Sequence, residues 1–361
     1  MVAPNPSDPS DTFRQPATAP ASNTLVIQTA FLGDVILTMP LLTALAKIHG
    51  PVDVVTTSQA APLLESHPAV ATVVRYDKRG ADRGPVAWLT LARLLRGQRY
   101  RRVYLPHRSW RSAVLVWAAG IPQRIGFGDS PARSSYTHRV SRDMALHETR
   151  RLLSLAGDTP APVDFDLGVT DGEVHLAEDW LASHGISQPF IAIAPGSVWG
   201  TKRWPYYPDL AARLDHPVVV VGGPGEREVA AAIVTAAQGQ AASAAGKIPL
   251  RLSAAILSRA RLLVTNDSAP LHLAGAVGTS VVAIFGPTVP AFGFGPLGPD
   301  DVIVEELGGL ACRPCSRHGP MTCPLGHHRC MLDISVDTVE QAVRRVWRAV
   351  ATGRDAQAET P

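Results

Sequence analysis

The sequence predicts an α/β protein built from two doubly wound parallel sheets, and three observations carry that expectation. Apolar, β-rich runs alternate with amphipathic helical stretches from residue 24 to beyond residue 280. Such alternation calls for parallel strands joined by helical crossovers. It loosens once, around 158–187, and then restarts, so there are two sets; a chain of 361 residues has room for two or three domains. Finally, the loops richest in reactive side chains follow the strands, which is where open α/β sheets bind ligands.

The elements run in order. "TLVIQTA" (24–30) is a strand, and "VILTMPLLTALAKIHG" (35–50) has apolar residues at helical spacing, ended by Gly50 and Pro51. "VDVVTTS" (52–58) and "VATVVRYD" (70–77) are strands, "VAWLTLARLLRGQRY" (86–100) an amphipathic helix and "RRVYLPH" (101–107) a strand. "WRSAVLVWAAG" reads as helix and "RIGF" as a short strand. After a loose stretch, "VHLAEDWLASHG" is a helix. The second alternation takes in "FIAIAPGS" (190–197), "PVVVVGGPGE" (217–226), a helix at 227–238, "RLLVTND" (261–267), a helix from about 270 and "SVVAIFGP" (280–287). The expected organisation is a tail over 1–23, an N-terminal Rossmann-like domain over 24–170, a C-terminal one over 171–345 and a second tail over 346–361. The two domains are expected to face a cleft.

Composition narrows the function. The net charge is +3, too small to call for nucleic acid. No run of 18 apolar residues appears, so no spanning helix is expected. The Pro-, Ser- and Ala-rich start lacks a basic segment followed by an apolar core and does not read as a signal peptide. All four cysteines lie within 312–330, so none staples the body of the fold, which fits a cytoplasmic, reducing compartment.

Four loops carry chemistry. In "LVTNDSAPLHLAG", Ser268 is a candidate N-cap and Pro270 falls in the first helical turn, where no N–H is required. The first N–H groups of that helix, such as those of Ala269 and Leu271, would be free to attract an anion, and His272 could add a donor. Asp267 would repel phosphate, so its expected partner is a loop N–H or a sugar hydroxyl. "APGSVWGTKRWP" adds two hydroxyls, Ser197 and Thr201, and Lys202 as a point charge; Arg203 can pair locally. "VVGGPGERE" offers Glu226 either to ribose hydroxyls or as an ordinary helix-start acid. "QTAFLGDVIL" places a lone carboxylate, Asp34, after the first strand: a cap, or a general base. The cysteines run Cys312-x2-Cys315-x7-Cys323-x6-Cys330; structural zinc, disulfides and free thiols all fit that spacing.

Taken together, "LGDVILTMPLLTAL", "HRSWRSAVLVWAAGIPQRIGF", "HETRRLLSLAG", "APGSVWGTKRWP", "VTNDSAPLHLAGAVGTSVVAIFGPT" and "CRPC…CPLGHHRCM" resemble glycosyltransferase family 9, the lipopolysaccharide heptosyltransferases, in the family's order over about 24–345. The cysteine-bearing end looks more like the heptosyltransferase II branch. The resemblance implies a GT-B fold, with the acceptor in the N-terminal domain and ADP-L-glycero-β-D-manno-heptose in the C-terminal one. It implies a lipid A-linked inner-core acceptor, and the mechanism that follows requires no cofactor and need not invoke a catalytic metal. By motif, Asp34 matches the catalytic acid, Lys202 the phosphate lysine, Asp267 to His272 the diphosphate loop and Glu226 an acid near the ribose. Where the family pattern has Gly, this chain has Ala269, which narrows backbone freedom. Lys78, Arg79, Arg108 and Arg111 are candidates to meet acceptor carboxylates or phosphates, with peripheral contact at the inner face of the inner membrane. The competing expectations are another nucleotide sugar or acceptor, a sugar-nucleotide epimerase on the same plan, and a sugar-nucleotide-binding module without catalysis.

Overall fold

The computed structural model describes residues 22–78, 80–157, 163–165 and 167–358, with side chains described as far as Ala351. Arg79, the residues of the expected N-terminal tail up to 21, and 359–361 lie outside the described residues. The chain divides between Gly168 and Val169 into two units.

The N-terminal unit contains β1 (Thr24–Gln28), α1 (Leu32–His49), β2 (Val52–Thr56), α2 (Ala61–Glu65), β3 (Val70–Arg75), α3 (Pro85–Gly97), β4 (Arg102–Leu105), α4 (Trp110–Ala118), β5 (Gln123–Phe127), β6 (His138–Val140) and α5 (Glu148–Leu153). All its strands are parallel, in the order β3-β2-β1-β4-β5-β6. β1 and β2 are buried along their whole length, as expected of strands covered on both faces. One core packs β1, β4 and α3 together through Leu25, Ile27, Leu91, Leu95, Val103 and Leu105. By length and composition α1 could cross a membrane, but its Ile36, Leu37, Met39 and Leu41 are buried as in a core helix.

The C-terminal unit contains α6 (Asp171–Ser183), β7 (Ile191–Ala194), α7 (Tyr207–Ala211), β8 (Val218–Val220), α8 (Arg227–Ala236), β9 (Ala241–Ser243), α9 (Leu250–Arg259), β10 (Leu262–Asn266), α10 (Ala269–Ala276), β11 (Ser280–Phe285), β12 (Val302–Glu305), α11 (Arg329–Leu332) and α12 (Val336–Ala358). Its sheet, β12-β11-β10-β7-β8-β9, is also all parallel and repeats the topology of the first. In each unit the order reverses between the first and fourth strands, β1/β4 and β7/β10. Such switch points are where the loops at the carboxyl ends of the strands part and leave room for a ligand.

The structure corrects the expected tail from 346. α12 runs on to Ala358, and Val339, Val343, Val346 and Val350 form one buried stripe at helical spacing. Trp347 stacks on His216, with ring centroids 3.8 Å apart, and lies under the Arg261 guanidinium. Burying each such valine contributes roughly 1.5 kcal/mol or more, which outweighs the helix-weakening Gly353 that follows.

Candidate functional site

The chemically loaded loops follow β1, β4, β7 and β10, the strands that flank the two switch points, and β8, which precedes Glu226.

In the N-terminal unit α1 starts earlier than its apolar spacing implies, at Leu32, which makes Asp34 its third residue. Asp34 Oδ2 accepts the Phe31 N–H at 3.1 Å, so the carboxylate does cap the helix, while the side chain stays only half-buried. The turn is held from below: Gln28 Nε2 donates to Thr38 Oγ1 at 3.0 Å, and the Thr38 hydroxyl donates to the Asp34 carbonyl at 2.7 Å. Lys78, arriving from β3, donates to Thr29 Oγ1 at 2.9 Å in the same loop.

His107, at the end of β4, is a neighbour of this loop that the motif did not reveal. One ring nitrogen, Nδ1, faces the Ile27 carbonyl at 2.9 Å and must carry the proton, because a carbonyl only accepts. Nε2 then accepts from the Ser112 hydroxyl, also at 2.9 Å. Burial, reinforced by the Lys78 charge, pushes the imidazole pKa down to about 3. With both nitrogens engaged and the ring neutral, His107 is a poor proton acceptor, and Asp34 remains as the basic group in this loop. Of the expected acceptor cations, Arg108 is committed to Asp129, with a nitrogen 3.5 Å from its carboxylate and another donating to its carbonyl at 2.8 Å. Arg111 is exposed beside Tyr76.

In the C-terminal unit Ser268 is the N-cap of α10 by position, with extended backbone, but its side chain makes no capping bond. Its Oγ is buried and has no partner among the described residues, which is costly for a hydroxyl unless something occupies the helix start. Pro270 sits in the first turn and has no N–H to offer, and the Leu271 N–H already bonds to the Ser268 carbonyl at 3.1 Å, which leaves the Ala269 N–H and the Ser268 hydroxyl at the helix start. Leu271 and His272 are buried behind it, and the His272 ring tilts toward Phe294.

Asp267 takes a different partner from the loop N–H or sugar hydroxyl expected. Its Oδ2 accepts from Lys202 Nζ at 2.5 Å and from Thr288 Oγ1 at 2.6 Å. All three groups are buried. Bringing two donors onto one oxygen fixes the ammonium beside the α10 start and leaves the other carboxylate oxygen, Oδ1, for a further donor. Asn266, fully buried, ties the loops together: Nδ2 donates to the Pro195 carbonyl at 2.8 Å, and Oδ1 accepts from Trp204 N–H and Tyr207 O–H. Thr288 and Asn266 escaped the sequence reading because their value lies in contacts with distant segments; the only signal was position at a strand's carboxyl end.

The remaining predicted residues divide. Ser197 Oγ accepts the Trp199 N–H at 3.3 Å, and Arg203 pairs locally, donating to the Ser197 carbonyl. The Thr201 hydroxyl is turned away to the Pro320 carbonyl, 2.5 Å off, which makes it a brace for the loop. Glu226 Oε2 accepts the Gly223 N–H at 2.6 Å, and its side chain lies against the β7 turn. A Cβ on Gly196 would stand 2.5 Å from Glu226 Cγ, so only glycine admits the carboxylate there.

The cysteine segment buttresses this site. Cys315 N–H bonds to the Pro287 carbonyl, Thr201 N–H to the Pro320 carbonyl, and the His328 imidazole meets the Thr201 carbonyl at 2.7 Å. Arg313 Nη2 donates to the Thr288 carbonyl at 3.0 Å and pairs with Glu305 at 2.6 Å. His318 stacks on Trp199, and burial plus the charges of Lys202 and Arg317 hold it below its ordinary pKa. Cys312, Cys315, Cys323 and Cys330 are free thiols. Among the described residues no three His, Cys, Asp or Glu side chains gather as a metal site. Burial pushes the Cys330 thiol up to about 11, whereas backbone N–H groups around Cys323, led by that of His328, lower its pKa.

Two doubly wound parallel units, with an anion-ready helix start and a fixed lysine in the second, are the layout of a GT-B glycosyltransferase. A family model described as glycosyltransferase family 9 (heptosyltransferase) matches residues 88–324, and the chain belongs to that family. It is 28% identical over 292 residues to lipopolysaccharide heptosyltransferase 2 of Escherichia coli (strain K12), covering 74% of this chain and 84% of that one. The solved glycosyl transferase family 9 structure from Veillonella parvula DSM 2008 superposes with a TM-score of 0.80 at 24% identity, over 92% of this chain and 99% of that one. The structure of E. coli ADP-heptose lps heptosyltransferase II superposes with a TM-score of 0.74 at 25% identity, over 90% and 98%.

Proposed function

We propose that this heptosyltransferase-family chain moves heptose from ADP-L-glycero-β-D-manno-heptose to the inner core of a lipid A-linked acceptor, with inversion, at the inner face of the inner membrane. The observation that carries the reading is the α10 start: a Ser268 hydroxyl that has no partner among the described residues, at a helix N-terminus beside the Lys202–Asp267 pair. That arrangement suits the diphosphate of a nucleotide sugar. The ADP-heptose donor follows from the E. coli relative of known structure, whose name carries it.

In this reading Asp34 accepts the proton of the attacking acceptor hydroxyl. Charge builds on the departing diphosphate as the anomeric carbon becomes oxocarbenium-like. Lys202, the Ser268 hydroxyl and the Ala269 N–H at the positive end of α10 meet that charge where it grows, each contact lowering the barrier by about 2–4 kcal/mol by analogy with oxyanion donors. Asp267 and Thr288 hold Lys202 in place beforehand, so little reorganisation accompanies the step. Direct attack on the face opposite the leaving group inverts the centre.

A different nucleotide sugar is the second reading, favoured by Ala269 at the turn where the family pattern has glycine. One experiment decides between them. A panel of nucleotide sugars is tested for binding, then for turnover with heptose-free core lipid, with products read by mass spectrometry. Binding and transfer confined to ADP-heptose support the first reading; transfer from another donor replaces it, and isomerised donor without transfer removes transferase chemistry.

A further inference from the structure

We infer that the exposed faces of α3 and α4 form a docking surface for an anionic lipid bilayer. The inference deepens the lipid-linked acceptor reading above and rests on it for its purpose, but not for its observations.

On α4, Trp110 and Trp117 are seven residues apart and therefore share a face, with Val114 between them. Both tryptophans are well out in solvent, at 63% and 64% of full exposure, and Val114 is exposed beside them. The opposite face of the same helix, Ala113, Leu115 and Val116, is buried in the core. α3 packs against α4 and shows a second such face. Val86, at 78% exposure, and Leu89 lead it, and Arg93 and Arg96 continue it one and two turns on. A soluble surface seldom leaves two indoles and three large aliphatics uncovered on two neighbouring helices without a partner for them.

Charge identifies the partner. Residues 83–118 contain eight arginines and no Asp or Glu, in a chain whose whole net charge is +3. Arg93 and Arg96 are exposed and form no ion pair among the described residues. The acids that flank the segment are already committed: Asp82 is buried and accepts the Asp77 N–H, and Asp129 pairs with Arg108. The contrast with α6 is direct. That helix also exposes a leucine, Leu176, but carries Asp171, Glu173, Glu178 and Asp179 around it, a pattern suited to water. Indole rings that straddle an apolar and a polar layer, set among arginines without counter-charges, match the headgroup region of an anionic membrane. α4 also begins right after His107 and Arg108, at the sheet end that bears Asp34. A lipid-borne acceptor held at this face therefore lies near the carboxylate end of the unit.

The test uses the full chain and sedimentation with vesicles. Vesicles rich in phosphatidylglycerol should carry the protein down and pure phosphatidylcholine should not, with binding lost at high salt. Trp110→Ser/Trp117→Ser and, separately, Arg93→Glu/Arg96→Glu should each reduce partitioning about tenfold or more. Both variants should keep the wild-type melting temperature and wild-type turnover on a soluble, deacylated acceptor. Failure of the wild-type chain to sediment with anionic vesicles, or unchanged partitioning in both variants, would overturn the inference while leaving the acceptor reading standing. A concentration-dependent dimer that the tryptophan variants abolish, or equal capture by single-stranded nucleic acid, would reassign the face to that partner. Vesicle binding without transfer to core lipid would instead sink the acceptor reading and leave the docking surface intact.

Discussion

The helix starts at the two switch points, α1 after β1 and α10 after β10, occupy comparable places in sheets of the same topology yet are electrically opposite. α1 carries its own carboxylate, and Asp34 Oδ2 already holds the Phe31 N–H, so its start is closed to an anion. α10 carries no acid in its first turn, and the Ser268 hydroxyl has no partner among the described residues. The acid next to α10, Asp267, is pulled aside by Lys202 and Thr288. In the function proposed above, one fold thus yields a basic carboxylate in one unit and an anion cradle in the other, by changing what stands in the first turn. The supports differ as well. Gln28 and Thr38 hold the turn at Asp34 by neutral hydrogen bonds, with a neutral His107 and the Lys78 ammonium bonded to the same loop, whereas a buried ion pair organises the second site.

The largest effect expected from breaking this comparison is at the carboxylate. Asp34→Asn should lower transfer by about 10²–10⁴-fold with ADP affinity unchanged, because the amide can still cap α1 but cannot take a proton. Transfer within threefold of wild type would strip Asp34 of that role.

Lys202→Ala should reduce turnover by about 10²–10³-fold and, by stranding buried Asp267, cost about 3 kcal/mol of stability. Lys202→Ala/Asp267→Asn should recover melting temperature without recovering turnover. If activity returned together with stability, the lysine would be structural. Thr288→Val removes one buried donor and should cost about 1 kcal/mol, near fivefold in turnover, with Thr288→Ser restoring most of it. A Ser variant no better than Val would point to packing of the methyl group instead.

The pH dependence sharpens the contrast between the supports. His107 has a folded pKa of about 3 against an ordinary 6.5. Between those values the unfolded chain binds the extra proton, so this contribution to stability is complete above about pH 6.5 and declines as pH falls toward 3. His49, His216 and His318 act with the same sign, so the readout is a difference: the melting temperature of His107→Gln should fall less between pH 7 and 5 than that of the wild type. Parallel curves would mean that His107 is not held neutral. The smallest effect is chemical. At pH 7 Cys323 should alkylate fastest and Cys330 slowest, as mapped by mass spectrometry of labelled peptides. The reverse order would place the backbone donors elsewhere than around the Cys323 sulfur.

Local patterning made much of this protein legible. Apolar alternation located most strands to within two residues, and residue type marked Asp34, Lys202 and Ser268, which the structure places in the loops after β1, β7 and β10. Short elements such as α2, β6 and β9 left no clear signal, because a five-residue helix or three-residue strand is held by its neighbours and not by its own spacing. The stretch from 346 misled because Gly353 and the polar residues after it look like a tail, while the burial that makes it helix comes from residues far away in sequence.

Topology, the chemical type of each loop and the family were therefore set by the residues themselves, since period-two and period-3.6 patterns and the Gly, Pro and Ser at turns act locally. Only the tertiary structure decided which groups meet. It turned Asp267 to Lys202 and Thr288, gave Thr201 to Pro320, kept His107 neutral and left two tryptophans in solvent. Those outcomes depend on segments tens of residues apart being packed at contact distance, where desolvation and competition for a few donors, not sequence neighbours, choose each side chain's partner.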